Sequence, residues 1–187
     1  MTKESFPDNR FGAPCSLLDK ACDPEKPVVV TGERILDATH RIKNGIVHTP
    51  CTLSKMSKRL GMDLYLKKDY LQITGSFKER GARYSIIKLN AEERRRGVIT
   101  TSAGNHAQAL AWHGRDLGVP VTVCMPQIAP QVKVDSCREL GATVILHGQS
   151  FDETRIGFGI FQTFSISKVF FFLNLNHQRI RHAQIRI

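Results

Sequence analysis

No Cys-x-x-Cys pair occurs among the five cysteines, Cys15, Cys22, Cys51, Cys124 and Cys137, and no His/Cys ligand spacing accompanies them. Zinc, or any other metal, is therefore not expected, and free thiols in a reducing compartment are the default reading. The opening residues Met1-Thr2-Lys3-Glu4-Ser5 carry no apolar stretch, so no secretory signal is read there. They also lack the arginine-rich, acid-poor character of a transit peptide, and a cytoplasmic location is the expectation. No internal repeat with a period of about 20–50 residues is visible, which excludes a solenoid. Acidic residues disappear from Ile156 onward, where only Lys168, Arg179, Arg181 and Arg186 are charged.

Those four cations belong to a formal net charge of +10, so the excess is unevenly placed. The other basic concentration, Arg94-Arg95-Arg96, directly follows Glu92-Glu93 and has no aromatic residue within it. It reads as a solvated helix end, and no nucleic-acid partner is expected. What remains is ordinary globular material: 187 residues, 41% hydrophobic and 24% charged, enough for one domain with a real core.

The first thirty or so residues hold Pro7, Pro14, Pro24 and Pro27 with little periodicity and read as a loose leader over 1–30. Thr31 opens a helical pattern with Ile35, Leu36, Thr39 and Ile42 on one face, ending near Asn44-Gly45. Leu53, Met56 and Leu60 continue at helical spacing until Gly61, and Asp63 to Lys68 reads as a strand. From Ser76 the order is regular: a helix from Ser76 to Arg96, a strand from Gly97 to Thr101, and a helix from Gly104 to Leu117. A strand from Val119 to Met125, a helix from Pro130 to Leu140 and a strand from Ala142 to Leu146 follow. Strands alternating with helices across short turns predict an α/β fold of βαβ units with a parallel sheet.

Two segments carry chemistry. Lys78 stands in the first turn of its predicted helix, directly after Phe77. Helix N-termini disfavour an ammonium, and partial burial beside a ring acts in the same direction, as a nucleophilic lysine requires. A lone helical lysine is nevertheless ordinarily a solvated charge. Downstream, Thr100-Thr101-Ser102 ends a strand, Gly104 turns the chain and Asn105 begins a helix. That geometry aims backbone N–H groups and a helix dipole at one point, suiting a carboxylate. Taken alone, the turn reads more readily as a helix start capped by Ser and Asn.

Taken together, Thr74-Gly75-Ser76-Phe77-Lys78-Glu79-Arg80-Gly81-Ala82 and Ser102-Ala103-Gly104-Asn105-His106-Ala107-Gln108 resemble the lysine segment and the asparagine loop of the threonine/serine dehydratase family. Met125-Pro126 and Leu146-His147-Gly148 match as well. Two long motifs in order, about 25 residues apart, are far more specific than either alone. The resemblance, covering about Thr49 to Arg155, implies fold-type II of the pyridoxal-phosphate enzymes, with a tryptophan synthase β-like architecture. The cofactor implied is pyridoxal 5'-phosphate. Lys78 would form the Schiff base with it, Asn105 would hydrogen-bond its phenolic oxygen, and Phe77 would pack near its ring. Ser102, Ala103, Gly104, Asn105 and His106 would grip the substrate carboxylate. The reaction implied is β-elimination of L-threonine or L-serine, a small amino-acid substrate, to a 2-oxo acid and ammonia. His106 stands where the family's synthases carry threonine, and Ala103 where animal-type serine racemases carry serine; both favour elimination. Family members are homo-oligomers.

The resemblance further divides the chain. Residues 31–96 would be the N-terminal part of the large cofactor domain, 97–155 an incomplete small domain, and 156–187 a Phe-rich tail unlike the family. The family's glycine-rich phosphate cradle has no counterpart after Leu146-His147-Gly148, so the chain reads as a truncated form. A catalytically inactive fragment, acting at most by pairing with a full-length subunit, is the alternative. The tail reads foremost as a translated non-coding segment beyond a splice junction. Lys168 would cost a membrane span a few kcal/mol, so no membrane partner is expected; a partner-binding strand is the third reading. Val169-Phe170-Phe171-Phe172-Leu173 is an aggregation hazard in any case.

Overall fold

The structure, a computed structural model, describes residues 29–154 and the backbone of the short strand Lys168–Val169. The leader, apart from residues 29 and 30, and the readings of the tail as a segment therefore lie outside the described residues. The chain divides into two compact units after Ala38. Of the first, the described residues form the opening turns of α1 (Gly32–Ile42), where Thr31 Oγ1 accepts from the Arg34 N–H at 3.4 Å. That hydroxyl is the helix start the sequence announces at Thr31.

The second unit holds both sheets. Helix α1 ends at Ile42 and a 3-10 turn, Lys43–Gly45, follows, as Asn44-Gly45 foretells. Strands β1 (Cys51–Leu53) and β2 (Tyr65–Lys67) pair antiparallel around α2 (Ser57–Leu60). Leu53 thus belongs to a strand. Three residues of helical spacing were too few to separate a strand end from a helix start. A 3-10 turn, Asp69–Leu71, leads to α3 (Lys78–Ile87).

The single helix expected from Ser76 to Arg96 is two. α3 stops at Ile87, and α4 (Ala91–Arg96) restarts from Asn90. Asn90 Oδ1 accepts from the Glu93 N–H and the Glu93 carboxylate accepts from the Asn90 N–H, both at 2.9 Å. This capping box supplies both partners that a new helix start needs, and so outweighs continuation. Arg95 and Arg96 pair with Glu92 and Arg94 donates to the Leu117 carbonyl, so the basic cluster is a solvated helix end.

The remaining elements are β3 (Val98–Thr101), α5 (Asn105–Asp116), β4 (Val121–Met125), α6 (Gln131–Glu139), β5 (Thr143–Leu146) and β6 (Lys168–Val169). They build a parallel sheet in the order β5-β4-β3-β6, in agreement with the expected α/β class. Val98, Val121, Val123 and Met125 turn one face of it toward Ile86 of α3, Leu110 of α5 and Val134 of α6, in one buried cluster. Ile99, Cys124 and Ile145 form a small cluster on the opposite face. Complete burial of a side chain such as Leu110 contributes about 1.5–3 kcal/mol, so the helix-covered face dominates the stability. The sheet edge from which β3 runs into α5 is thereby held against α3, which carries Lys78.

Candidate functional site

Lys78 is the first residue of α3, and Phe77 precedes it as the cap. Gly75 makes the turn before them: its φ is 74°, its N–H donates to the Gln72 carbonyl at 2.9 Å, and a β-carbon there would be strained. Ser76 Oγ accepts from the Lys78 N–H at 3.2 Å, satisfying one of the orphan donors of a helix start. The Lys78 side chain is half-buried, its Nζ lying 5.2 Å from the centroid of the Phe77 ring. Phe77 itself is 61% exposed, so one side of the lysine faces an open apolar surface.

The second motif forms the turn from β3 to α5. The Ser102 N–H donates to the Cys124 carbonyl at 3.2 Å, anchoring the turn to β4. Ser102 Oγ accepts from the Gly104 N–H at 3.3 Å, and Gly104 caps α5 without any side-chain bond. Asn105 is exposed at the first position of α5, Ala103 is half-buried against the core, and His106 is buried. Burial, and next the nearby Lys78 ammonium, push the His106 imidazole down to about 4. The charge of Lys78 is thus felt inside the first turn of α5. Lys78 adjoins Phe77, and its charge reaches His106 at the start of α5. The first N–H groups of α5 with their dipole can accept an anion there.

Behind Lys78 lies a polar chain that no motif announced. Glu79 is fully buried and its Oε1 accepts from the Thr74 N–H. Its Oε2 lies 3.4 Å from Nε2 of His113, also fully buried, on α5. His113 Nδ1 is 3.2 Å from Arg83 Nη1, and the same Nη1 donates to Asp116 at 2.5 Å. A guanidinium can only donate, so His113 Nδ1 accepts and its proton sits on Nε2, on the side of Glu79, although Nε2 and Oε2 make no hydrogen bond with each other. Burial first, then the Arg83 charge, against the opposing pull of Asp116, hold the imidazole down at about 4, in keeping with that neutral tautomer.

A second anchor follows. Arg80 grips Asp69 with two nitrogens, Nε to Oδ2 at 3.1 Å and Nη2 to Oδ1 at 2.9 Å. Thr49 Oγ1 donates to Asp69 Oδ1 at 2.6 Å. The Arg80 bonds, more than enough to offset partial burial and helped by Thr49, bring the Asp69 carboxyl down to about 2. The two residues after Lys78 are therefore both tied, Glu79 into the interior and Arg80 to the turn before α3. One signal for the first tie was available: Glu79 and Arg83 are four apart, and His106 and His113 seven apart, so each pair shares a helix face. Among the described residues, no group of His, Cys, Asp or Glu is placed to hold a metal. Nor is any helix there long and apolar enough to cross a membrane.

The profile of the family described as pyridoxal-phosphate dependent enzyme matches residues 42–156. The chain is similar to L-threonine ammonia-lyase of Thermotoga maritima, with 46% identity over 126 residues, covering 67% of this chain and 31% of that one. Among solved structures it is similar to serine racemase from Dictyostelium discoideum, at 36% identity and a TM-score of 0.70, over 75% of this chain and 46% of that one. It is also similar to the processed form of threonine deaminase isoform 2 from Solanum lycopersicum, at 34% identity and a TM-score of 0.64, over 74% of this chain and 42% of that one. The chain spans less than half the length of each of these relatives. The match runs from the end of α1 through β5 and takes in both Lys78 and the 102–106 turn, and the chain belongs to the fold-type II family of pyridoxal-phosphate dependent enzymes.

Proposed function

We propose that this chain carries the lysine half of a pyridoxal-phosphate dependent β-elimination, in which L-threonine or L-serine yields a 2-oxo acid and ammonia. One observation carries the reading: the half-buried Lys78 amine stands beside the Phe77 ring and close enough to the first turn of α5 for its charge to act on His106. The residues fit a flat, aldehyde-bearing cofactor. Lys78 would hold it covalently, Phe77 offers apolar surface to its ring, and the exposed Asn105 amide is the donor for its phenolic oxygen. When bound, the cofactor supplies an electron sink for the pair left at the substrate Cα.

The rest is the work of this chain's residues. The N–H groups at the start of α5, with Ser102, Ala103, Gly104, Asn105 and His106, receive the substrate carboxylate. Fixing the carboxylate fixes which Cα bond points toward Lys78, and orientation is where such sites gain most. Lys78 Nζ is the base for the Cα proton. Ala103 has no titratable group, so the turn supplies no second acid or base at that position. That supports elimination over racemisation, despite the likeness to a serine racemase.

Incubation with pyridoxal phosphate, borohydride reduction and peptide mass analysis tests this reading. A pyridoxyl group on Lys78, with 2-oxo acid formed from threonine or serine, is the expected result. An unmodified Lys78 would overturn it and leave the second reading, a non-catalytic product of the same fold that acts at most by pairing with a full-length subunit.

A further inference from the structure

We infer that Glu79 and His113 are positioning residues that act through the turn before α3 to set the Lys78 amine against the 102–106 turn. The inference rests on Lys78 being the reactive amine. Its structural basis is a polar chain: Asp116 accepts from Arg83, Arg83 donates to His113 Nδ1, and His113 Nε2 lies 3.4 Å from Glu79 Oε2, an electrostatic contact without a hydrogen bond. Glu79 Oε1 then accepts from the Thr74 N–H. The chain begins and ends on different elements. Asp116 and His113 belong to α5, whose first turn contains Asn105 and His106, whereas Thr74 lies in the turn that delivers Lys78. Glu79 is the immediate neighbour of Lys78 in sequence, so a shift of its carboxylate moves the first turn of α3.

The polarity of this chain leaves little choice of residue. Arg83 forces an acceptor at His113 Nδ1 and therefore a donor at Nε2. Glu79 thus accepts from the Thr74 amide at Oε1, while Oε2 lies 3.4 Å from the N–H side of the imidazole without a hydrogen bond, so that contact is electrostatic only. Only a carboxylate presents an oxygen to both. A glutamine of the same shape must turn its NH2 group toward one of these donors, whichever way the amide is flipped. At position 113, by contrast, a glutamine can accept from Arg83 with its oxygen and donate to Glu79 with its nitrogen. It reproduces the polarity of the neutral imidazole without its titration. Both side chains are completely excluded from solvent, so water cannot repair a mismatch.

The test compares Glu79→Gln, His113→Leu and His113→Gln with the parent chain and with Val134→Ala. The last leaves a cavity in the core on α6 and serves as a control for lost stability. With pyridoxal phosphate at a fixed concentration, the Lys78 amine adds to the aldehyde carbon and water leaves. Borohydride then delivers hydride to the C=N carbon, and the secondary amine is counted by peptide mass. Glu79→Gln and His113→Leu are expected to slow the appearance of the Lys78 adduct about tenfold or more, since misplacement by an ångström costs rates of that order. His113→Gln is expected to stay within about twofold of the parent, and Val134→Ala likewise, since neither alters the polarity of the chain. Without cofactor, the Thr74 amide is expected to exchange with deuterium faster in Glu79→Gln and His113→Leu than in His113→Gln.

Adduct formation in Glu79→Gln at the parent rate, or an equal slowing in Val134→Ala, would overturn the positioning role while leaving the proposed reaction intact. A parent chain that forms no Lys78 adduct would remove both. Should Glu79→Gln not fold, His113→Leu against His113→Gln carries the same comparison.

Discussion

Nε2 of His113 lies 3.4 Å from Oε2 of Glu79, and neither side chain is reached by solvent. The contact joins the helix that opens with Lys78 to the helix that opens with Asn105. Since Arg83 occupies the other face of the imidazole, protonation of His113 would set two cations against each other in a buried site. The fold therefore holds this histidine neutral.

Acid should weaken the fold in a defined window. His106 and His113 are both held at about 4, against 6.5 for an ordinary histidine. As pH falls below that ordinary value the unfolded chain takes up protons that the folded chain refuses, so stability drops until pH reaches the folded values. Above the window neither state is protonated and nothing is lost. The expected loss is at most about 3 kcal/mol from each group. Urea midpoints measured between about pH 8 and pH 4.5 should fall, and His113→Gln should make the fall shallower.

The Asp69–Arg80 pair predicts an acid limb at lower pH. Its carboxyl is held at about 2 against an ordinary 3.8, so its contribution is fully present above the ordinary value and fades as pH falls toward the folded one. Asp69 keeps 17% of its side-chain surface, so solvent screening discounts the contribution to about 1–2 kcal/mol. Asp69→Asn should be less stable than the parent by that amount near neutrality. The gap should narrow in urea titrations carried out below the ordinary carboxyl value.

Gly114 lets α5 lie close to the sheet. A β-carbon there would collide with the Val121 side chain and stand 2.8 Å from the Val119 carbonyl oxygen. Gly114→Ala should therefore cost about 1–3 kcal/mol through forced repacking, read as a lower melting temperature. Unlike Glu79→Gln, it tests helix packing and leaves the polar chain's donors and acceptors unchanged.

Asn105 and Lys78 should separate binding from stability. Asn105 is exposed and Lys78 half-buried, so Asn105→Ala and Lys78→Ala are expected to change stability by no more than about 0.5 kcal/mol. Lys78→Ala should abolish the pyridoxyl adduct at this position. Asn105→Ala should lower its yield at limiting cofactor several-fold, the loss of about one hydrogen bond. Calorimetry and peptide mass on the same samples check both.

Much of this was readable along the chain because its causes are local. The 3.6 and 2.0 periodicities of Val98 to Leu146 announce β3, α5, β4, α6 and β5 in order, and the Lys78 and Asn105 segments lie at helix starts where turn chemistry is written in adjacent residues. The break between α3 and α4 was also written there, in Asn90 and Glu93, but a helical pattern on both sides concealed it. Leu53 was misplaced because three apolar residues carry too little period to exclude a strand.

Sequence alone determined the alternation of strands and helices and the placing of both motif segments at helix starts, since capping, turns and amphipathic spacing act over a few residues. Only the tertiary structure decided what stands behind Lys78. Glu79 and His113 are 34 positions apart, and nothing in either neighbourhood says that α3 and α5 pack with these side chains in register. That pairing depends on how both helices settle on the same face of the parallel sheet, and on a buried guanidinium that dictates which imidazole nitrogen keeps its proton.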